Sequence, residues 1–317
     1  DAVYSLLTDF DRRAGHLAAA HFLLDAGEKS PQVIAEHFQL GGDNQRAAEH
    51  YLRAAEQAYG QFDTDGMMRF ADLGSACGGD PQTRGTLYAI LCIAYATRLD
   101  ITNALAMADV AISLLPLGGL WWCRTMGQLF VLPVTTRDGE THSVRMLRLI
   151  ELFARARPAP DALTAYAAAS AHLIAYTAEL ADRDHAFAFL IFLEQLAEAR
   201  RGEDVLLHGW TSYAQAAFCH ALEGDPALAE SHAQGAVAAF ERLQAQPALT
   251  KAHLLHGRTL AALGYSSEAE SEIRQALTLA FQIRDLALAS LCQVELAAVL
   301  SGRSDGSFWS EAAELCE

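Results

Sequence analysis

Apolar residues in this chain recur three and four positions apart, in blocks separated by short breaks of Gly, Pro, Asp and Ser. Strict apolar–polar alternation is nearly absent, so the pattern predicts an all-α protein. Taken in order, Tyr4 to Ala26 reads as an amphipathic helix or two short ones, stopped by Gly27. Pro31 opens the next helix, which ends at Gly41-Gly42, and Asn44 is the expected cap of a helix through Phe62. Asp63 caps a further helix that Gly78-Gly79 ends. A helix pair spans Tyr88 to Pro116, and another helix runs from Leu120 to a stop at Pro133. The polar stretch Thr135–Ser143 is expected to be a loop, followed by a helix ending before Pro158. Asp161 is the expected cap of a long helix to Leu180, answered by a helix from His185 to Arg201. Further helices follow over Leu206–Leu222, over Leu228–Leu243, from Pro247, after the turn Leu263–Ser267, and over Asp285–Leu300. The last partner helix starts near Ser307 and runs to Glu317.

One stretch organises the rest. In Tyr88–Pro116, Tyr88, Leu91, Cys92 and Tyr95 fall at helical spacing, Ala104, Ala108 and Ala111 follow after a break, and Pro116 closes the run. That is the tetratricopeptide order of bulky residue, apolar–small pair, aromatic, three small positions and a stop. Small residues let antiparallel helices approach closely, and Pro cannot continue a helix. Ile34, Ala35, Phe38, Ala47, Tyr51 and Ala54 fill the same marks earlier in the chain. Later repeats carry Tyr213, Ala216, Ala217 and His220 with Ala229, Ala233 and Ala236, then His253, His256, Gly257 and Leu260 with Ala269, Ile273 and Ala276. The second-helix alanine at positions 47, 104, 186, 229 and 269 recurs at steps of 57, 82 (two units of 41), 43 and 40 residues, longer than the roughly 34 of the standard repeat. The expectation is a right-handed α-solenoid of six to seven helix pairs. Residues 1–60 hold an N-terminal helical segment and the first repeat, and 61–317 the remaining array. A degenerate repeat over 118–158 lacks the small-residue marks, and Leu190 and Leu193 fill two small slots, so helices there should sit further apart.

Composition narrows the partners. A formal net charge of −16, without clustered basic residues, argues against nucleic acid. The longest uncharged run, Val110 to Cys123, is broken by Pro116, Gly118 and Gly119 and falls short of a membrane span. Six cysteines without CxxC spacing do not make a disulfide framework and fit a reducing cytoplasm. The chain begins at Asp1 rather than Met and ends inside a helical pattern, so it reads as a piece of something larger.

Catalytic motifs do not emerge. Lys29 and Lys251 are the only lysines and neither follows Gly, so no phosphate-cradling GxxxxGK[ST] loop exists. The string Gly302–Gly306 matches GxSxG around Ser304, but that motif needs a preceding strand, and here it reads as a turn. His253 and His256 lie three apart on one helix with no carboxylate evident beside them in sequence, so packing outweighs a metal site. Neither His16 with His21 nor His37 with His50 has ligand spacing. The reading is no enzyme, no cofactor and no metal.

Binding is the remaining class. Adjacent Trp121 and Trp122 diverge by about 100° on a helix, so one can pack while the other anchors a partner. First helices of such arrays line one groove, which places Ile93, Tyr213, Phe218, Leu254 and Arg258 among the partner-binding candidates. Projection gives that groove Thr86, Ala89, Ala96, Thr211, Ala214, Ala221, Lys251 and Ala261 as well, making it small, apolar and weakly charged.

Residues Arg12 to Ala58, through Ala35–Phe38, the Gly41-Gly42 break and Tyr51–Ala58, resemble the entry into the repeat array of bacterial signalling ATPases. They are similar in particular to myxobacterial-type serine/threonine kinases carrying an AAA/STAND ATPase and C-terminal tetratricopeptide repeats, and related arrays end LuxR-type activators. The resemblance implies a non-catalytic sensor or docking arm that binds a protein or peptide partner, or neighbouring domains of its parent. The alternative it leaves open is a small-molecule effector-binding solenoid of a LuxR-type regulator. An open apolar end at Glu317 also allows a homo-oligomer.

Overall fold

A computed structural model describes residues 7–132, 139–200 and 202–302. Among these the protein is all-helical, with fifteen α-helices and no strand. By contact, the chain divides into two compact units, Asp1–Ala96 with Asp100–Leu117, and Gly118–Glu317 with Thr97–Leu99.

The first unit holds α1 (Asp9–Asp25), α2 (Pro31–Gly41), α3 (Asn44–Gly60), α4 (Thr64–Cys77), α5 (Pro81–Thr97) and α6 (Ile101–Leu114). Its core begins with Ala20, Ile34, Ala35, Phe38, Ala47 and Tyr51, all buried. Tyr51 reconciles burial with a polar tip by donating its hydroxyl to Gln39 Oε1 at 2.7 Å. The expected segment Tyr4–Ala26 lies partly outside the described residues; its described helix starts at Asp9 and is capped by Thr8, whose side chain accepts from the Asp11 N–H. One expectation shifts here. The cap of α3 is Asp43, not Asn44, because Asp43 has the non-helical backbone and accepts from the Arg46 N–H, while Asn44 is already helical.

The second unit holds α7 (Leu120–Leu129), α8 (Gly139–Arg155), α9 (Leu163–Glu179), α10 (Arg183–Ala199) and α11 (Val205–Phe218). A π-helical turn, Cys219–Glu223, leads on to α12 (Pro226–Arg242), α13 (Gln246–Ala262), α14 (Ser266–Gln282) and α15 (Leu286–Ser301). Asp161 does not cap α9: it lies inside a 3-10 turn, Pro160–Ala162, that precedes the helix. The expected loop Thr135–Ser143 is helical from Gly139 onward, and residues 133–138 lie outside the described residues. So do the GxSxG segment from Arg303 and the final partner helix from Ser307.

Within each unit, neighbouring helices pack through small residues. Ala47, Ala104, Ala186, Ala229 and Ala269 are each 0% exposed, so a larger side chain at these crossings would collide with the neighbouring helix. Helix α10 meets its neighbours less closely than α12 does, in line with leucine at two of its small slots. Across α7 and α8, where small marks are missing, aromatic rings fill the space. Phe153 stacks on Trp122 at 5.9 Å and on Tyr166 at 4.7 Å, with Phe130 edge-on at 5.5 Å. Gly118 allows the chain to enter α7: its φ is +78°, and a Cβ there would lie 2.0 Å from the Arg157 carbonyl oxygen.

The turns repeat one device. Helices end on a residue with left-handed backbone, the next N–H bonds back to a carbonyl five residues earlier, and an aspartate caps the following helix. Gly42 with Asp43, Phe62 with Asp63, Ala181 with Asp182 and Arg284 with Asp285 are instances.

Candidate functional site

Helices α9, α11, α13 and α15 of the second unit adjoin one another in one layer. Side chains of α9 and α13 meet across α11, which makes this face the inside of a curve. Lys251 Nζ on α13 lies 3.0 Å from His172 Nε2 on α9. Farther along the same two helices, Arg258 donates to Glu179 at 3.2 Å and, through Nε, to Glu295 of α15 at 2.8 Å. The face is thus bridged twice by polar side chains. Lys251 and Arg258 were expected on this face; His172, Glu179 and Glu295, which meet them there, were not, and they make it more charged than the expected apolar groove.

Electrostatics follow from burial. His172 is almost fully buried, and desolvation together with the Lys251 charge holds its pKa well below the usual imidazole value. Burial pushes Lys251 down to about 8 and the Tyr213 phenol up to about 12. Trp210 meets the His172 ring edge-on at 5.2 Å, and Tyr213 does so at 6.4 Å.

A second cluster lies on another side of α13. His253 Nδ1 is 2.6 Å from Glu272 Oε2 on α14, and His256 Nε2 is 3.1 Å from Glu230 Oε1 on α12. His256 Nδ1 also approaches Glu272 Oε2 to 3.1 Å, but off the hydrogen-bonding direction. The carboxylates that sequence reasoning did not find beside these histidines therefore come from the two flanking helices. Burial works to raise Glu272, but the hydrogen bond from His253 and the nearby His256 imidazole hold it down to about 2. His256 is raised because Glu272 and Glu230 together outweigh its desolvation. Among the described residues, no group of three or more His, Cys, Asp or Glu side chains is arranged to hold a metal ion.

The predicted anchors separate by exposure. Trp121, Trp122, Phe218 and Leu254 are buried, whereas Ile93, Tyr213 and Arg258 keep part of their surface. Trp122 packs within the aromatic cluster, and the Arg124 guanidinium lies 4.4 Å over the Trp121 ring. Tyr213, Phe218, Leu254 and Arg258 share the second unit, and Ile93 belongs to the first. The structure also brings His16 and His37 of the first unit together, Nδ1 to Nδ1 at 3.0 Å, a contact that spacing alone did not indicate. Between α10 and α11 lies an open groove of about 370 Å³, lined by Glu194, Glu198, His208, Thr211, Ser212 and Gln215. Among the described residues, no helix is long and apolar enough to cross a membrane. Compared with protein-family models and with curated proteins, the chain matches none.

Proposed function

We propose that this chain is a docking scaffold: a right-handed tetratricopeptide-like solenoid of six to seven helix pairs. It would serve as the sensor arm of a larger bacterial signalling ATPase or kinase and bind a protein partner or its parent's own domains. The observation that carries this reading is the recurrence of fully buried alanines, Ala47, Ala104, Ala186, Ala229 and Ala269, at one position of five helices along the chain. Stacked pairs of this kind expose long helical surfaces for partners. Because Trp122, Phe218 and Leu254 are interior, contact falls to side chains that keep surface, Arg258 and Tyr213 in part and Phe187, half exposed, on α10.

The test uses the purified chain as bait in a lysate of its host, beside Arg258→Glu and Phe187→Glu variants whose folding circular dichroism has verified. A protein retained by the parent sequence and lost by one folded variant supports docking and locates its face. No retention above a blank resin overturns the reading.

A further inference from the structure

His16 on α1 and His37 on α2 bring two imidazole nitrogens within reach of one ion. The two Nδ1 atoms face each other at 3.0 Å, with ring centroids 5.2 Å apart and ring planes inclined at 45°. Neither ring hangs on a loose segment. Phe38, next to His37, is part of the first unit's core, and Leu17, next to His16, packs against that core. Gly41 permits the close approach of the two helices, since a Cβ there would lie 2.7 Å from Leu17 Cγ. Helices fixed in this way position ligands more exactly than loops do. Both histidines are also only partly buried, so an ion from solvent can reach them.

Between themselves the two rings share one hydrogen bond, one Nδ1 donating and the other accepting. If the shared proton moves to Nε2 of its own ring, both Nδ1 atoms present lone pairs to the same space, with no net change in protons. Burial, and then the neighbouring His37, lower the His16 pKa, which favours the neutral ring that a metal requires.

The separation indicates which ions fit. Imidazole nitrogen ligates at about 2.0–2.1 Å, so nitrogens 3.0 Å apart subtend an angle of about 94° at a shared ion. A tetrahedral angle would need them about 3.3–3.4 Å apart. A right angle is the one between neighbouring ligands in the square-planar and tetragonal geometries of copper(II) and nickel(II), and both ions suit imidazole. Calcium and magnesium prefer oxygen ligands.

We propose that His16 and His37 form a two-histidine site for copper(II) or nickel(II), bound through both Nδ1 atoms with water completing the coordination. The inference is independent of the docking reading, whose test is a retained protein.

The experiment titrates copper(II), nickel(II) and zinc(II) chlorides into the whole chain in a non-coordinating buffer, read by calorimetry. The chain carries 12 histidines, so the first equivalent is the one that counts. Saturable binding of one ion is expected, tighter for copper and nickel than for zinc. It should be at least about tenfold weaker in His16→Asn and in His37→Asn, because each leaves a single imidazole where two acted together. In the unmodified chain, the first equivalent of copper should broaden the His16 and His37 ring resonances before those of other histidines. That measurement locates the site even if a variant does not fold. The proposal is overturned if no saturable first site exists, if both variants bind as the unmodified chain does, if zinc binds tightest, or if other histidine resonances broaden first.

Discussion

His256 and Glu230 face each other across α13 and α12 with Nε2 and Oε1 3.1 Å apart, while Glu272 closes on the same imidazole from α14. One histidine between two carboxylates ties three consecutive helices together, and the tie depends on protonation. His256 has a raised folded pKa, so its contribution is complete below the ordinary value of 6.5 and is lost as pH climbs through the raised value. Glu272 is lowered from 4.5 to about 2, so its contribution is complete above 4.5 and is lost as pH falls through about 2. The clasp is therefore strongest between 4.5 and 6.5.

Urea denaturation across this range checks it. The difference in unfolding free energy between the parent sequence and Glu272→Gln should be largest in that window, at roughly 3 kcal/mol, and shrink on both sides. A difference that does not vary with pH would refute the clasp.

Gly257 tests the close approach of helices. A Cβ there would lie 2.6 Å from Ile273 Cγ1 and 3.2 Å from the Ala269 carbonyl, so Gly257→Ala should cost about 1–3 kcal/mol. Gly235, on α12, has nothing nearer than 3.7 Å, and Gly235→Ala should instead stabilise by up to about 1 kcal/mol through helix propensity. Thermal unfolding of the two variants reads the opposite signs directly.

The helices and their packing positions were legible because period and punctuation are local. The alanines at 47, 104, 186, 229 and 269 had to be small wherever their helices landed, and all are buried. The polar clusters were not legible. Periodicity puts His253 and His256 on one face of α13, but only the packing of α12 and α14 brings Glu230 and Glu272 to them. Likewise His172 and Lys251 stand 79 residues apart, and the curve that joins them is a property of stacking, not of either helix. Asp43 and Asn44 are both good caps in sequence, and backbone conformation alone chooses between them. The adjacent tryptophans misled for a related reason: divergence on a helix exposes one ring only when a single side is covered, and both rings here are buried.

Trp122 measures what the aromatic cluster contributes where the small-residue marks are absent. It is 1% exposed and lies nearly parallel to Phe153, so Trp122→Ala should destabilise by about 3–5 kcal/mol. Trp122→Phe should recover much of this by keeping a ring against Phe153. Equal losses in the two variants, measured by chemical denaturation, would refute a stabilising role for a ring packed on Phe153.

The turns offer a last, separable prediction. Ala181 is exposed and has φ +57°, in the left-handed region where a Cβ crowds the following carbonyl. Its N–H still completes the helix end by reaching the Ala178 carbonyl at 3.0 Å, and the Asp182 N–H reaches Thr177 at 2.9 Å. Ala181→Gly keeps both bonds and removes a strain of about 1–2 kcal/mol, offset by about 0.4–1 kcal/mol of added freedom in the unfolded chain. The net gain should be a few tenths to about 1 kcal/mol. Arg284, exposed at φ +56° before Asp285, should respond the same way. Because the two turns lie far apart in sequence and share no partner, the double variant should show the sum of the single effects. A rise in urea midpoint for each and additivity in the pair would establish that the capped turn, not only the helix interface, sets the stability of these repeats. A fall in either single variant would show that the side chain at that position stabilises the turn by more than its backbone strain costs.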